Sequence, residues 1–160
     1  MLAFLKHSRG VVRRKGAPCL TRKGKHMSVD EVLERPADAS EKYQIASRFF
    51  QILEVPGAPG VLDLFEPDAD WWRLSRREPV AMSPWLTSFL TYFPDGLHFE
   101  IDGSTEQSNR LAVQARSQGT ASNGRQYDNA YHFLFEFEGS RISRIWEYCD
   151  TMHADKVLRG

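Results

Sequence analysis

From Leu97 to Asp102 apolar and polar residues alternate, Leu97, Phe99 and Ile101 against His98, Glu100 and Asp102, the two-residue period of a half-buried strand. "NRLAVQARSQGT" repeats the pattern with Leu111, Val113 and Ala115, and the Asn-Gly turn in "SNGR" leads into a third long strand from about Gln126 to Glu138. "EGSR" supplies a last tight turn before the closing strand "RISRIWEYCD". Upstream the period lengthens. "EKYQIASRFFQIL", residues 41–53, sets Tyr43, Ala46, Phe49, Phe50 and Leu53 on one side of a helix, with Asp38 and Glu41 as a capping-box-like start. "GVLDLFEP" predicts a short helix ended by Pro67, and "DWWRL" a brief strand. Ser83 as cap and Pro84 in the first turn open a further helix, whose stripe of Trp85, Leu86, Phe89, Leu90 and Phe93 ends at "PDG".

Helices followed by consecutive long antiparallel strands predict an α+β domain, a curved sheet covered on one face by the helices. The concave side of such a sheet is a natural place for an apolar pocket. The chain has the length of one domain, and we place that domain at residues 27–160, with 1–26 as a basic tail.

Charge separates the two parts. Residues 1–26 carry eight Lys/Arg and no acid, which leaves thirteen basic against twenty-one acidic residues in the remainder. An acidic body argues against nucleic acid as partner, because phosphate binding needs a basic face. The tail has the composition of an organelle-targeting peptide, of an over-extended start with Met27 as the alternative beginning, or of a basic arm. Two cysteines, Cys19 and Cys149, are too few for a disulfide framework or a zinc site. The first apolar run, "MLAFL", is far shorter than a membrane span. A soluble, cytoplasmic protein is expected, with targeting by residues 1–26 left open.

Three ionisable groups stand out in the otherwise apolar end of the chain: His132, Glu147 and Asp150. A two-residue turn at Gly139 and Ser140 pairs 138 with 141 and, counting on, sets His132 opposite Glu147, close enough for the imidazole to govern the carboxyl's protonation. The same count puts Asp128, Ala130, His132, Leu134, Ile145 and Glu147 on one face, and Tyr131, Phe133, Phe135, Trp146 and Tyr148 on the other, unless a bulge intervenes. A carboxyl in an apolar cup resists ionisation, and its pKa rises toward the range useful for proton transfer. The alternative for Glu147 and His132 is an exposed cross-strand pair. Asp150 is a second catalytic candidate or a helix cap for "TMHADKV". Asn129 and Tyr131 could bind a ligand oxygen, or Tyr131 could simply pack; Arg116 could enter the cup or face water. Tyr43, Trp72, Trp85 and Phe89 are the expected aromatic walls, and core packing explains them equally well. No metal-ligand spacing, Gly-rich phosphate loop or Gly-x-Ser-x-Gly elbow occurs, so neither metal nor other cofactor is expected. The aromatic second face predicts a homodimer through the sheet.

"NGRQYDNAYHFLFEFEGSRISRIWEYCDT" and the order of elements resemble the nuclear-transport-factor-2-like superfamily, in particular its SnoaL-like and ketosteroid-isomerase-related members. The likeness spans about Asp38 to Asp155 and rests on Asn-Gly, Tyr-x-Asn, alternating aromatics, a tight turn, and Glu-Tyr-x-Asp. It implies a cone-shaped, cystatin-like curved antiparallel sheet, and relatives commonly dimerise through it. Phe93, Pro94 and Asp95 resemble a segment of the phenazine-biosynthesis A/B proteins, whose pocket glutamate falls on Glu147 and whose helix histidine falls on Trp85. Limonene-epoxide-hydrolase-like members use an Arg-x-Asp pair that this chain lacks. Ketosteroid isomerase, the worked precedent for carboxyls tuned by an apolar site, belongs to the same superfamily. The resemblance implies a cofactor-independent acid/base enzyme, an isomerase, cyclase or dehydratase, acting on a small hydrophobic or aromatic carbonyl compound. A binding module without catalysis and a dimerising interaction domain are the alternatives, because this fold hosts all three.

Overall fold

The computed structural model describes residues 39–160. The basic tail, Cys19, Met27 and Asp38 lie outside the described residues. Helix α1, Glu41–Leu53, forms where its period predicts, but its cap is Ser40, whose side chain accepts from the Tyr43 amide at 3.2 Å. Its apolar face, Ala46, Phe49, Phe50 and Leu53, is buried. A 3-10 turn, Val61–Leu64, leads into strand β1, Phe65–Arg73, and short strand β2, Pro79–Ala81. Helix α2, Met82–Leu90, follows. It starts at Ala81 without a side-chain cap, so Ser83 lies inside the first turn rather than before it.

Strands β3 (His98–Gln107), β4 (Arg110–Thr120), β5 (Gln126–Glu138) and β6 (Arg141–Cys149) then run as an antiparallel meander, and helix α3, Thr151–Leu158, closes the chain. The six strands form one curved sheet in the order β2-β1-β6-β5-β4-β3. The architecture is α+β and mostly antiparallel. Strand β1 departs from the expectation: it is longer than "DWWRL" and lies parallel to β6. Parallel neighbours need a long crossover, and here everything from β2 to β5 serves as one. Pro67 is tolerated in β1 because the pairing with β6 shifts between Phe65 and Asp70, where no ladder bond is required of it.

Between α2 and β3, Gly96 has φ of 89°, and a Cβ there would collide with the Glu54 carbonyl. Glycine therefore lets this turn close against the end of α1, where the Leu97 amide donates to the Leu53 carbonyl at 2.9 Å.

The register of β5 against β6 differs from the regular hairpin count. Glu138 pairs with Arg141 and Phe137 with Ile142, but Glu136 pairs with Arg144 and leaves Ser143 as an extra residue. From the bulge onward each pair moves by one, so Phe133 faces Glu147 and His132 faces Tyr148. The faces change with it. Tyr127, Asn129, Tyr131, Phe133, Phe135 and Phe137 are all buried toward the helices, together with Ile142 and Ile145. Phe49 packs edge-on against Phe135 at 5.9 Å, and Phe50 lies 5.3 Å from Phe133. Each fully buried aromatic of this kind contributes roughly 1.5–3 kcal/mol.

The outer face keeps His132, Leu134, Trp146 and Tyr148, and charge is laid over it: Arg110 and Arg144 sit 5.4 and 5.2 Å from the Trp146 ring. Tyr131, Phe133 and Phe135 are thus removed from the surface on which the homodimer was expected. Among the described residues no helix is long and apolar enough to cross a membrane.

Candidate active site

Strand alternation carries Ile145, Glu147 and Cys149 to the helix-covered side, and the end of β6 brings the last two to the rim of the core, where α2 and α3 leave a gap. That gap is a cavity of about 440 Å3, with Glu147 and Cys149 on its floor. Trp85 and Phe89 come from α2, Tyr127 from β5, Arg73 and Arg76 from the end of β1 and its loop, and Ala154 and Leu158 from α3.

Glu147 is held on both carboxylate oxygens. Oε2 accepts from Trp71 Nε1 at 2.7 Å, and Oε1 accepts from Cys149 Sγ at 3.3 Å. Burial pushes its pKa up from the ordinary carboxylate value, and this outweighs the Cys149 and Trp71 bonds and the Arg73 charge, which pull it down. Burial, reinforced by the neighbouring Glu147 charge, also pushes the Cys149 thiol up, so it serves as a neutral donor rather than a thiolate.

Arg73 lies beside Glu147 in the β1–β6 register but makes no bond to it. Its guanidinium carbon instead lies 3.4 Å from the centroid of the Trp85 ring. Burial lowers its pKa, partly offset by the Glu147 charge. Arg73 Nε and Trp85 Nε1 are both buried with no acceptor among the described residues. The indole of Trp85 meets that of Trp71 edge-on at 6.2 Å, and Phe89 continues the wall at 5.8 Å.

A chain of hydroxyls runs behind the cavity. Ser117 Oγ donates to Tyr131 Oη at 3.2 Å, Tyr131 and Tyr127 share a 2.8 Å bond, and Asn129 Nδ2 donates to Tyr127 Oη at 2.9 Å. Burial pushes Tyr127 up to about 12 and Tyr131 well above its ordinary value, so both phenols stay neutral near neutral pH. The second depression of the surface, between residues 57–62 and the far side of α2, contains no ionisable side chain and offers no acid/base chemistry.

The family model of the SnoaL-like domain matches residues 46–145. The chain belongs to the SnoaL-like domain family. None of the curated proteins matches it. Solved structures share the fold. An NTF2-like protein of unknown function from Burkholderia pseudomallei K96243 aligns with a TM-score of 0.61 at 19% identity, over 76% of this chain and 100% of its own. A candidate SnoaL-like polyketide cyclase from Jannaschia sp. CCS1 gives 0.63 at 16% identity, over 78% and 96%. A candidate polyketide cyclase from Acidithiobacillus ferrooxidans gives 0.62 at 16% identity, over 77% and 97%.

In this SnoaL-like domain the residues singled out from sequence separate into groups. Glu147, Trp85 and Phe89 meet at the cavity. His132 does not: it is exposed on the opposite face, because the bulge at Ser143 turns Glu147 inward with Phe133 and leaves His132 outward with Tyr148. Trp72 is likewise outside, 5.4 Å from Tyr148, because its neighbour Trp71 takes the inward position. Arg116 faces solvent, bonded to Asp102 at 2.7 Å and Glu100 at 3.1 Å. Asp150 caps α3, accepting from the Met152 and His153 amides at 3.1 and 3.0 Å. Asn129 and Tyr131 are buried, and Asn129 ties β5 to the start of α3 through both backbone groups of Asp150. Tyr43 packs on the core from α1, away from the cavity lining.

Sequence reasoning missed Trp71, Arg73, Tyr127 and Cys149. A signal existed for three of them: Cys149 is two residues from Glu147 and Tyr127 four from Tyr131, which forces a shared face, and a Trp doublet in a strand must present one indole to each side.

Proposed function

We propose that this SnoaL-like domain protein is a cofactor-independent enzyme that moves a proton on a small hydrophobic or aromatic carbonyl compound, as an isomerase, cyclase or dehydratase does. Glu147 takes the proton from carbon and returns it. The observation that supports this reading is the placement of its carboxyl: floor of an aromatic-walled cavity, pKa raised by burial, and both oxygens oriented by the Trp71 indole and the Cys149 thiol. Family membership and the polyketide-cyclase descriptions of the Jannaschia and Acidithiobacillus proteins fit the same chemistry. Neutral Tyr127, whose phenol is polarised by Asn129 and Tyr131, is positioned to line the path of a ligand oxygen. A small carbonyl compound recovered with the purified protein and identified by native mass spectrometry supplies the assay. Glu147→Gln keeps the shape and removes the titrating group, and turnover falls by on the order of a hundredfold to ten-thousandfold. An unchanged rate rejects the assignment.

A second reading, a binding module without chemistry, is favoured by one feature. Arg73 lines the cavity and its guanidinium has no acceptor among the described residues, so its terminal N–H groups suit a ligand oxygen whether or not a proton moves. Under that reading Glu147→Gln changes affinity and there is no turnover to lose.

A further inference from the structure

We propose that the cavity selects its ligand as an anion, an aromatic carboxylate whose acid group is bound by Arg73 and whose ring lies along Phe89 and Tyr92. The inference rests on the cavity being the ligand site of the proposed function, but not on the chemistry performed there.

The argument begins with how the other arginines are used. Arg110, Arg116, Arg144 and Arg159 each have a carboxylate partner within 3.2 Å, Arg125 and Arg141 donate to backbone carbonyls, and Arg48, Arg76 and Arg77 are exposed to solvent. Arg73, which is more enclosed than these surface groups, has no carboxylate or carbonyl partner among the described residues. Burying a guanidinium without a counter-charge is costly. Its in-register neighbour Glu147 could have served, but that carboxyl is engaged by Trp71 and Cys149. Trp85 takes the face of the guanidinium. Stacking of this kind uses the π face and leaves the in-plane N–H groups for a carboxylate, the geometry arginine suits best.

The surrounding charge favours the same ligand. Arg76 and Arg159 lie in the same lining, and both act on Arg73 as like charges. The acids that face it are Glu147 and Asp155, and Asp155 is paired with Arg159 at 3.2 Å. A ligand that brings one negative charge to this wall relieves the repulsion among three guanidinium groups. The rings of Phe89 and Tyr92 in the same lining call for an aromatic body.

The test compares 2-naphthoate with 2-naphthamide, nearly equal in shape and different in charge, by isothermal titration calorimetry on the whole chain. The wild type binds the acid more tightly by about tenfold to a hundredfold, the range for a hydrogen-bonded charge pair. Arg73→Met keeps the stem and abolishes the preference, and Arg73→Lys retains part of it. Should Arg73→Met not fold, salt dependence in the wild type decides: the acid's affinity falls with added salt and the amide's does not. Equal affinity for acid and amide, binding of neither up to millimolar concentration, or a preference that survives in Arg73→Met overturns the proposal. A Glu147→Gln variant that keeps both its turnover and its acid preference rejects the proton-transfer role alone and leaves the anion site standing.

Discussion

Trp71 reaches diagonally across two parallel strands to bond Glu147, its Nε1 donating to Oε2 at 2.7 Å although its partner in register is Ile145. The diagonal matters because it brings an N–H group to a carboxyl whose charged form burial disfavours. Burial raises the pKa of Glu147, and this bond, with the Cys149 thiol and the Arg73 charge, opposes it. Burial wins, and the net shift is upward.

Trp71→Phe removes the donor and keeps most of the ring. The opposing influence weakens, so the Glu147 pKa moves further up, read by carbon NMR of the side-chain carboxyl across a pH series. The buried indole also packs on Phe49 and Phe133, and the variant is destabilised by on the order of 1–3 kcal/mol. A carboxyl that titrates as in the wild type, or lower, contradicts this role for the indole.

Glu147→Gln alters the pH dependence of stability in a defined sense. Because the folded-state pKa is raised, the unfolded chain releases its Glu147 proton at a lower pH than the folded one does. In that window the folded state holds more protons, so wild-type stability falls as pH rises from the ordinary carboxylate value through the raised one. The Gln variant lacks this loss. Urea unfolding of both proteins across a pH series starting at the ordinary carboxylate value therefore shows the variant gaining on the wild type with increasing pH, then levelling off above the raised value. A difference that stays flat, or runs the other way, removes the claim that burial dominates at this carboxyl.

Much of the fold was legible because its longest elements keep one period throughout. Helix α1 and strand β5 hold a strict 3.6- or 2-residue pattern across thirteen residues each, and tertiary packing had nothing to override. Strand β1 was underestimated because its start is irregular and contains a proline, and its parallel pairing depends on a partner some seventy residues away. No local pattern carries that.

The site was half legible, and one residue explains the division. Ile142 and Ile145 are both fully buried although three positions apart, which strict alternation forbids and a bulge at Ser143 allows. That spacing was present in the sequence, but a regular hairpin count passes over it. Glu147 was placed inward by a register that also put His132 inward, and the structure keeps only the first. The Trp71–Trp72 doublet has a similar ambiguity: one indole had to face in, and periodicity over so short a stretch could not say which.

Asp150 separates a cap from a catalytic acid. Its carboxylate accepts from two amides at the start of α3, so Asp150→Ala costs about 0.5–2 kcal/mol, while Asp150→Asn keeps an accepting oxygen and loses far less. Thermal unfolding checks the order. In turnover, Asp150→Asn stays close to the wild type; a loss comparable to that of Glu147→Gln would assign Asp150 to the chemistry instead.

His132 gives the sharpest test of the register itself. In the regular hairpin its imidazole would touch Glu147 and stabilise the ionised carboxylate, so its removal would raise the Glu147 pKa and lower activity with it. In the bulged hairpin the imidazole is exposed beyond the sheet, with its ring 6.4 Å from that of Tyr148, and the backbone of β5 and β6 stands between it and the cavity. His132→Ala then leaves the Glu147 carboxyl titration unmoved and changes stability by no more than about 0.5 kcal/mol, as expected for a surface substitution. Carbon NMR of the carboxyl distinguishes the two arrangements without any substrate, because only direct contact couples the two titrations strongly. A shifted Glu147 titration in His132→Ala would place both groups on one face and overturn the bulge at Ser143.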